Sequence, residues 1–450
     1  TSSTGGITAR NLILTVGNSP VSPPVVPPNR PPTAGNDAAS TLAGQQVQVN
    51  VLSNDADADG DTLTVLAAGP AAHGLLMVNA NRTVSYTPNA GFTGNDTFGY
   101  TVSDGRGGNA VGTVTVLVTA TPAPPPVTPP ASASSWPASV FAPYVDATAW
   151  PTYDFVATAT ASGVKYFTLA FITADPTGKA AWGGYASYAT TGSDFANQMK
   201  ARITALRALG GDVAVSFGGA SGQELAQVIT DVNALASAYR SVIQTYGLTH
   251  IDFDVEGAAV ADPTSIDRRS RAIAILQKEA LDAGRELHVR FTLPVLPTGL
   301  DANGLNIIRS AKNHGVNVGV VNVMAMDYGD GAAPNPAGRM GEYAIQAGTS
   351  VYNQITQLYG SSLTDAQRWA MVGVTPMIGL NDVTTEVFDQ QEARELEAWA
   401  ASHHIGLLSM WSLNRDRQNP AGVIGYVDMN SSSVAQRPLE FCSIFNAFTQ

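Results

Sequence analysis

Three features of the sequence predict a multidomain chain, with an all-β sandwich ahead of a (β/α)8 TIM barrel. Two proline-rich runs interrupt the chain. Between them lie short stretches that alternate apolar and polar residues. After the second, apolar runs alternate with helical segments over about three hundred residues. The total of 450 residues agrees with more than one domain. Hydrophobic residues make up 44%, enough for packed cores, and charged residues only 13%. The surface must then rest on Ser, Thr, Asn and Gly, as in many extracellular proteins. A formal charge of −12 disfavours nucleic acid and anionic membranes as partners. No apolar run is long enough to span a bilayer. The one cysteine, Cys442, excludes an intrachain disulfide or a Cys-based zinc site and reads as a packed thiol. We expect a secreted monomer, in a mature or trimmed form because the chain begins at Thr1 without Met.

In chain order, residues 1–18 hold one strand-like segment, ITARNLILTVGN, expected to end a preceding domain. Residues 19–32 form the first proline-rich linker. Residues 33–119 carry six strand candidates separated by Gly, Asn and Asp turns: QVQVNVL, TLTVLAAG, GLLMVNA, RTVSYTP, DTFGYTVSD and GTVTVLVT. The stretches NVLSNDADADGDTLTV and YTPNAGFTGNDTFGYTVSDGRGG resemble bacterial cadherin-like, Ig-like modules. Asp55, Asp57, Asp59 and Asp61 alternate around Gly60, a pattern of hard oxygen ligands that suits calcium. The alternative is a solvated acidic turn, since the Glu that closes an EF-hand loop is absent. Without any Trp, this domain reads as a spacer rather than a sugar binder. Residues 120–135 form the second proline-rich linker.

Residues 136–450 hold eight strand candidates: VFAPYVDA, KYFTLAFI, GDVAVSFGG, THIDFDVEG, ELHVRFTLP, GVVNVMAMDYG, AMVGVTPMIG and GLLSMWSL. Helical segments such as SDFANQMKARITALRALG and GQELAQVITDVNALASAYRSVIQTYG lie between them. In this fold the chemistry sits at the C-terminal ends of the strands. The fourth strand places Asp252, Asp254 and Glu256 on one face, about 6–7 Å apart at each step. Phe253 and Val255 point the other way. Burying three like charges is costly, so at least one carboxyl must hold a proton. Acid catalysis uses such carboxyls, and no histidine spacing here suggests a metal. His250, which precedes this run, is expected to face the helices.

These residues resemble the family 18 glycoside hydrolases, the chitinase family. The family's strand-four motif, D-x-x-D-x-D-x-E, stands here as Thr249 to Glu256. Its S-x-G-G motif is Ser216, Phe217, Gly218 and Gly219. Its M-x-Y-D motif is Met324, Ala325, Met326 and Asp327, followed by Tyr328, and its strand-eight tryptophan is Trp411. Thr249 replaces the motif's first Asp, which should retune the inner Asp. Met326 replaces a Tyr that helps hold the substrate's acetamido group, and Tyr328 is the candidate substitute.

The resemblance implies an endo-acting chitinase that needs no cofactor for catalysis and takes chitin or chito-oligosaccharides as substrate. Glu256 is the implied acid and base, Asp254 orients the N-acetyl group, Asp252 shares a proton with Asp254, and Asp327 lies close to the sugar. Ser216, Gly218, Gly219, Met324 and Trp411 fall at the sugar site by the same resemblance. Tyr144, Trp182 and Met377 are expected to line it, while Trp369 and Trp399 read as structural. The short interval between strands seven and eight, from Leu380 to His404, implies an open groove and internal cleavage. Two rivals remain open: an endo-β-N-acetylglucosaminidase acting on N-glycans, and a non-catalytic chitin lectin. A further reading makes the protein an adhesin that binds through its Ig-like module. A bacterial source is expected from the Ig-like module.

Overall fold

Alternating burial along two long strands defines the N-terminal core. Phe98, Tyr100 and Val102 of β6 (Gly94–Ser103) and Val114, Val116 and Val118 of β7 (Asn109–Thr119) are buried, each between more exposed neighbours. In this computed structural model, residues 28–43, 45–89, 92–119 and 136–449 are described. The expected strand within 1–18, residues 19–27 of the first proline-rich run and all of the second run lie outside them. The chain divides into two compact units, Thr1–Pro125 and Pro126–Gln450.

In the first unit, β1 (Asp37–Leu42) pairs parallel to β7, and β3 (Thr64–Ala68) pairs antiparallel to β6. The sheet order is β1-β7-β6-β3. A second, antiparallel sheet holds β2 (Val47–Val49), β5 (Val84–Pro88) and β4 (Gly74–Val78), in the order β2-β5-β4. Val49, Val84 and Tyr86 add to the core. All six expected strands are present. The seventh, β1, is an addition: its sequence, DAASTL, is mostly small residues and has no buried position.

The second unit carries a TIM-barrel-like sheet. Its parallel strands are β10 (Tyr166–Ala174), β12 (Asp212–Gly218), β13 (His250–Asp254), β14 (His288–Pro294), β15 (Val318–Ala325) and β16 (Val372–Pro376), with β19 (Leu407–Leu408) next to β16. The first expected strand is split into β8 (Val140–Phe141) and β9 (Tyr144–Asp146). Pro143 lies between them and has no N–H to give a neighbour. β8 pairs with β19, and β9 pairs with β10. A short β11 (Ala180–Trp182) turns back antiparallel onto β10. β17 (Gly379–Leu380) and β18 (Val387–Phe388) form a small hairpin.

The helices are α1 (Phe155–Ser162), α2 (Asp194–Ala208), α3 (Leu225–Val228), α4 (Val232–Tyr246), α5 (Pro263–Asp282), α6 (Ala302–Asn313), α7 (Met340–Tyr359), α8 (Asp365–Ala370), α9 (Gln390–His403) and α10 (Glu440–Phe445). Side-chain oxygens begin most of the longer ones: Asp154, Ser193, Asp231, Asp262, Asp301 and Asp389 each accept a first-turn N–H. Asp231 also accounts for a departure from expectation. The single helix expected across this region is two, because Asp231 caps α4 through the Ala234 N–H and Ile229 is extended.

Candidate active site

The alternation of β13 organises the site. Ile251 and Phe253 pack outward, where Phe253 stacks on Phe217 and Phe291 and meets Tyr239 of α4 edge-on. Asp252, Asp254 and Glu256 project to the opposite face. Asp252 is buried and its oxygens are occupied. Ser216 Oγ donates to it at 2.6 Å, the Tyr144 hydroxyl at 2.8 Å and Thr292 Oγ1 at 2.8 Å. Asn322 Nδ2 donates to Thr292 Oγ1, and Thr375 Oγ1 donates to Asn322 Oδ1, so the network runs from β12 across to β16. Burial raises the Asp252 pKa, and the three hydroxyls partly offset that rise.

Asp254 stands beside Glu256, and its Oδ1 is buried without a hydrogen-bond partner. Burial pushes Asp254 far above the usual carboxylate range, and the charges of Glu256 and Asp252 add to this. Burial also raises Glu256, with Asp327 contributing its negative charge. Burial thus favours the protonated form of both carboxyls. Asp252 takes its bonds from hydroxyl donors, while its charge and that of Glu256 both act on Asp254.

Glycines let the backbone close over this pair. Gly218 has φ +107°, and a Cβ there would lie 2.0 Å from the Asp254 carbonyl oxygen. The Gly219 N–H donates to that same oxygen at 2.9 Å. Asp327 has φ +52° and accepts the Val383 N–H at 2.8 Å, and burial raises its pKa. The half-buried Trp411 stacks on Phe171, with centroids 5.5 Å apart. Tyr144 meets Trp411 edge-on at 6.1 Å. Met324 is half-buried at the same end of β15, and the buried Met377 bridges to Trp411.

Several expectations need correction. Trp182 is fully buried, pairs opposite Ile172, and donates its indole N–H to the Tyr246 hydroxyl at 2.9 Å. The reversed direction of β11 turns it toward α2 and α4, away from the cleft. Tyr328 is buried edge-on against Tyr343 of α7, so it does not stand in for the missing tyrosine. Tyr144 and Ser216 are too buried to offer sugar contacts, and they hold Asp252 instead. His250 does not face the helices. It shares the parity of Asp252 and stacks between Trp136 at 4.3 Å and His288 at 4.4 Å. Thr249 Oγ1 hydrogen-bonds His250 Nδ1. Trp369 and Trp399 meet edge-on beside α7 and α9, as structural residues do.

Residues that sequence reasoning missed include Thr292, Asn322, Thr375, Phe171 and Glu386. Thr292 and Asn322 lie on inward positions of their strands, which was the available signal. Glu386 is buried and accepts the N–H groups of Tyr328 and Gly329, fixing the turn that presents Asp327. In the first unit, Asp57, Asp59 and Asp61 bring carboxylate oxygens within 4.8 Å of one another. Asp55 departs from the group, because its Oδ1 accepts from Tyr100 and the Gly35 N–H.

The catalytic domain of a hyperthermophilic chitinase from Pyrococcus furiosus shares 34% identity with this chain, with a TM-score of 0.62. The match covers 70% of this chain and 96% of that domain. This chain belongs to the family 18 chitinases. A probable bifunctional chitinase/lysozyme from Escherichia coli K12 is 36% identical over 329 residues, 70% of this chain and 35% of that protein. Endochitinase 11 of Metarhizium anisopliae is 38% identical over 291 residues, 63% of this chain and 53% of that protein. The family 18 chain thus spans about a third to a half of the curated relatives it matches. Residues 29–117 match the bacterial Ig domain family. Among the described residues, no helix of this chitinase-family chain is long and apolar enough to cross a membrane.

Proposed function

We propose that this chain hydrolyses the β-1,4 links between N-acetylglucosamine units inside chitin chains. The observation that carries this reading is the buried pair of Asp254 and Glu256, both pushed up by burial, beside the Trp411–Phe171 face. A protonated Glu256 gives its proton to the glycosidic oxygen. The acetamido carbonyl of the sugar attacks its own anomeric carbon, so no second protein nucleophile is needed. Asp254 orients that acetamide and stabilises the positive charge growing on its nitrogen. Water then opens the cyclic intermediate, with Glu256 taking the proton back. Trp411 offers the flat apolar surface on which the reacting ring rests, and Met324 and Asp327 complete the walls. A P. furiosus chitinase carrying catalytic-site mutations has been solved with chito-oligosaccharides, which supports this substrate class.

Internal cleavage is supported by the small hairpin β17–β18, which occupies the interval before α9 and leaves the groove unroofed there. Each double displacement at the anomeric carbon retains its configuration. Chitin hexamer should therefore release β-anomers, and the viscosity of a soluble chitin derivative should fall well before reducing ends accumulate. Release of α-anomers, or viscosity falling only in step with reducing ends, would contradict this reading. The proposed organisation keeps the Ig-like module at 33–119, a proline-rich linker at 120–135 and a closed (β/α)8 barrel at 136–450, in a secreted bacterial protein. Closure is supported by bonds from the 140–146 segment to strands on both sides.

The same reading assigns a calcium ion to Asp57, Asp59 and Asp61. Their spacing fits a hard cation, and the Asp57 Oδ2 atom is buried without a partner. Arg30 pairs with Asp59 and Arg106 with Asp61, so the ion must compete with two guanidinium groups.

A further inference from the structure

Arg290 stands alone among the buried cations. It lies on β14 directly opposite Asp252 in the strand register and is 4% exposed. Its guanidinium sits 4.6 Å above the Trp136 ring, and its Nη1 is buried without a hydrogen-bond partner. Arg269 and Arg415 also leave Nη1 unpartnered, but their other nitrogens are held, Arg269 by Glu224 and Arg415 by the Leu380 and Ser431 carbonyls. No carboxylate comes within 4 Å of Arg290 among the described residues. A structural arginine left this way is costly to bury.

The neighbours of Arg290 narrow what its charge can do. Below it, His250 and His288 stack on each other; burial and then Arg290 push His250 down, and burial lowers His288 against the opposing charge of Glu286. Glu286 and Arg285 line the same end of the sheet, around a cavity of about 470 Å³. Glu286 is exposed and lies beside His288 at 3.4 Å. Asp212 also faces this end, receiving the Trp136 indole N–H, but Arg207 neutralises it. Thr249 stands where the family motif has an aspartate, so no carboxylate from that position answers Arg290. Above it lie Tyr144 and the carboxylates of Asp252, Asp254, Glu256 and Asp327. Asp252 is the carboxylate it meets first.

We propose that Arg290 is a positioning residue for catalysis: a buried cation beneath Asp252 that keeps Asp252 a hydrogen-bond acceptor and confines the proton to Asp254 and Glu256. The proposal rests on the chitinase reading above and adds a residue to it. Burial lowers Arg290 to about 10, which leaves it charged at neutral pH. The attraction acts through space, with the hydroxyls of Ser216, Tyr144 and Thr292 supplying the direct bonds. Without the cation, Asp252 competes for the proton, and each protonation step of the group moves to higher pH.

The test compares the native chain with Arg290→Met and Arg290→Lys, reading the pH profile of kcat/KM on chitin hexamer. The proposal expects both limbs in Arg290→Met to move up by about one pH unit, and Lys to restore most of that shift. Adding Asp252→Asn should abolish the shift. A fall in rate with an unmoved profile, in a variant of native melting temperature, would overturn the proposal and leave Arg290 a packing residue. Should Arg290→Met fail to fold, a native profile in Arg290→Gln would overturn it equally. Carboxyl-carbon NMR titration of aspartate-labelled full-length chains, with Asp252→Asn to assign the signal, reads the same shift without turnover. An inactive native chain would therefore count against the chitinase reading, while an unmoved Asp252 titration would count against Arg290.

Discussion

Burial with no cation in direct contact is a condition that Asp254 and Glu256 share with Glu392 and Asp416. Glu392 is buried and accepts the N–H groups of Met340, Gly341 and Asp389, which ties α9 to the start of α7. Burial outweighs those bonds and raises it to about 7. Asp416 accepts the N–H groups of Phe441 and Cys442 and is raised to about 6, again by burial. The folded chain thus keeps both protonated at a pH where the unfolded chain has released those protons. Stability from these groups is full at low pH and declines as pH rises from about 4 toward 7. The melting temperature should fall across that window, and Glu392→Gln with Asp416→Asn should flatten the fall. An unchanged slope would contradict this account. Residue parity made Asp252, Asp254 and Glu256 legible in the sequence. The same parity includes His250, which was read wrongly because its ring was treated apart from the strand. Tyr144 and Ser216 were found by position, but their burial, and hence their task of holding Asp252, depends on strands far away in sequence.

At the scale of elements, alternation and turn residues made most strands legible, and the Ser and Asp caps mark where helices begin. Three departures have local causes. The small residues of β1 carry no pattern and are held by pairing with β7. Asp231 breaks a helix that periodicity alone would continue. The hairpin from β10 to β11 reverses the chain, and that reversal sends Trp182 into the helix layer. A loop of alternating carboxylates was equally legible, but Asp55 left the set because Tyr100 reaches it from β6. Calcium titrated into the full chain in a calorimeter should give a binding heat that Asp57→Asn removes. Equal heats from both chains, or none from either, would contradict the assignment to Asp57, Asp59 and Asp61.

Across the whole molecule, the two units divide the sequence's signals cleanly. The first carries paired sheets around valines and tyrosines. The second carries every tryptophan and the entire carboxylate ladder. Its general architecture could be read from strand and helix alternation, since that pattern is set by short-range periodicity. The hydroxyl network beneath Asp252 could not, because it joins side chains from six strands, and only the assembled sheet brings them together. The account centres on Glu256 as the group that delivers and recovers the proton. Hydrolysis of chitin hexamer by the native chain and by Glu256→Gln, both at equal concentration and with matched melting temperatures, tests this most directly. The account predicts turnover by the native chain and a loss of at least ~10²-fold in the variant. Comparable rates in the two chains, or a native chain that binds the hexamer and leaves it intact, would contradict it.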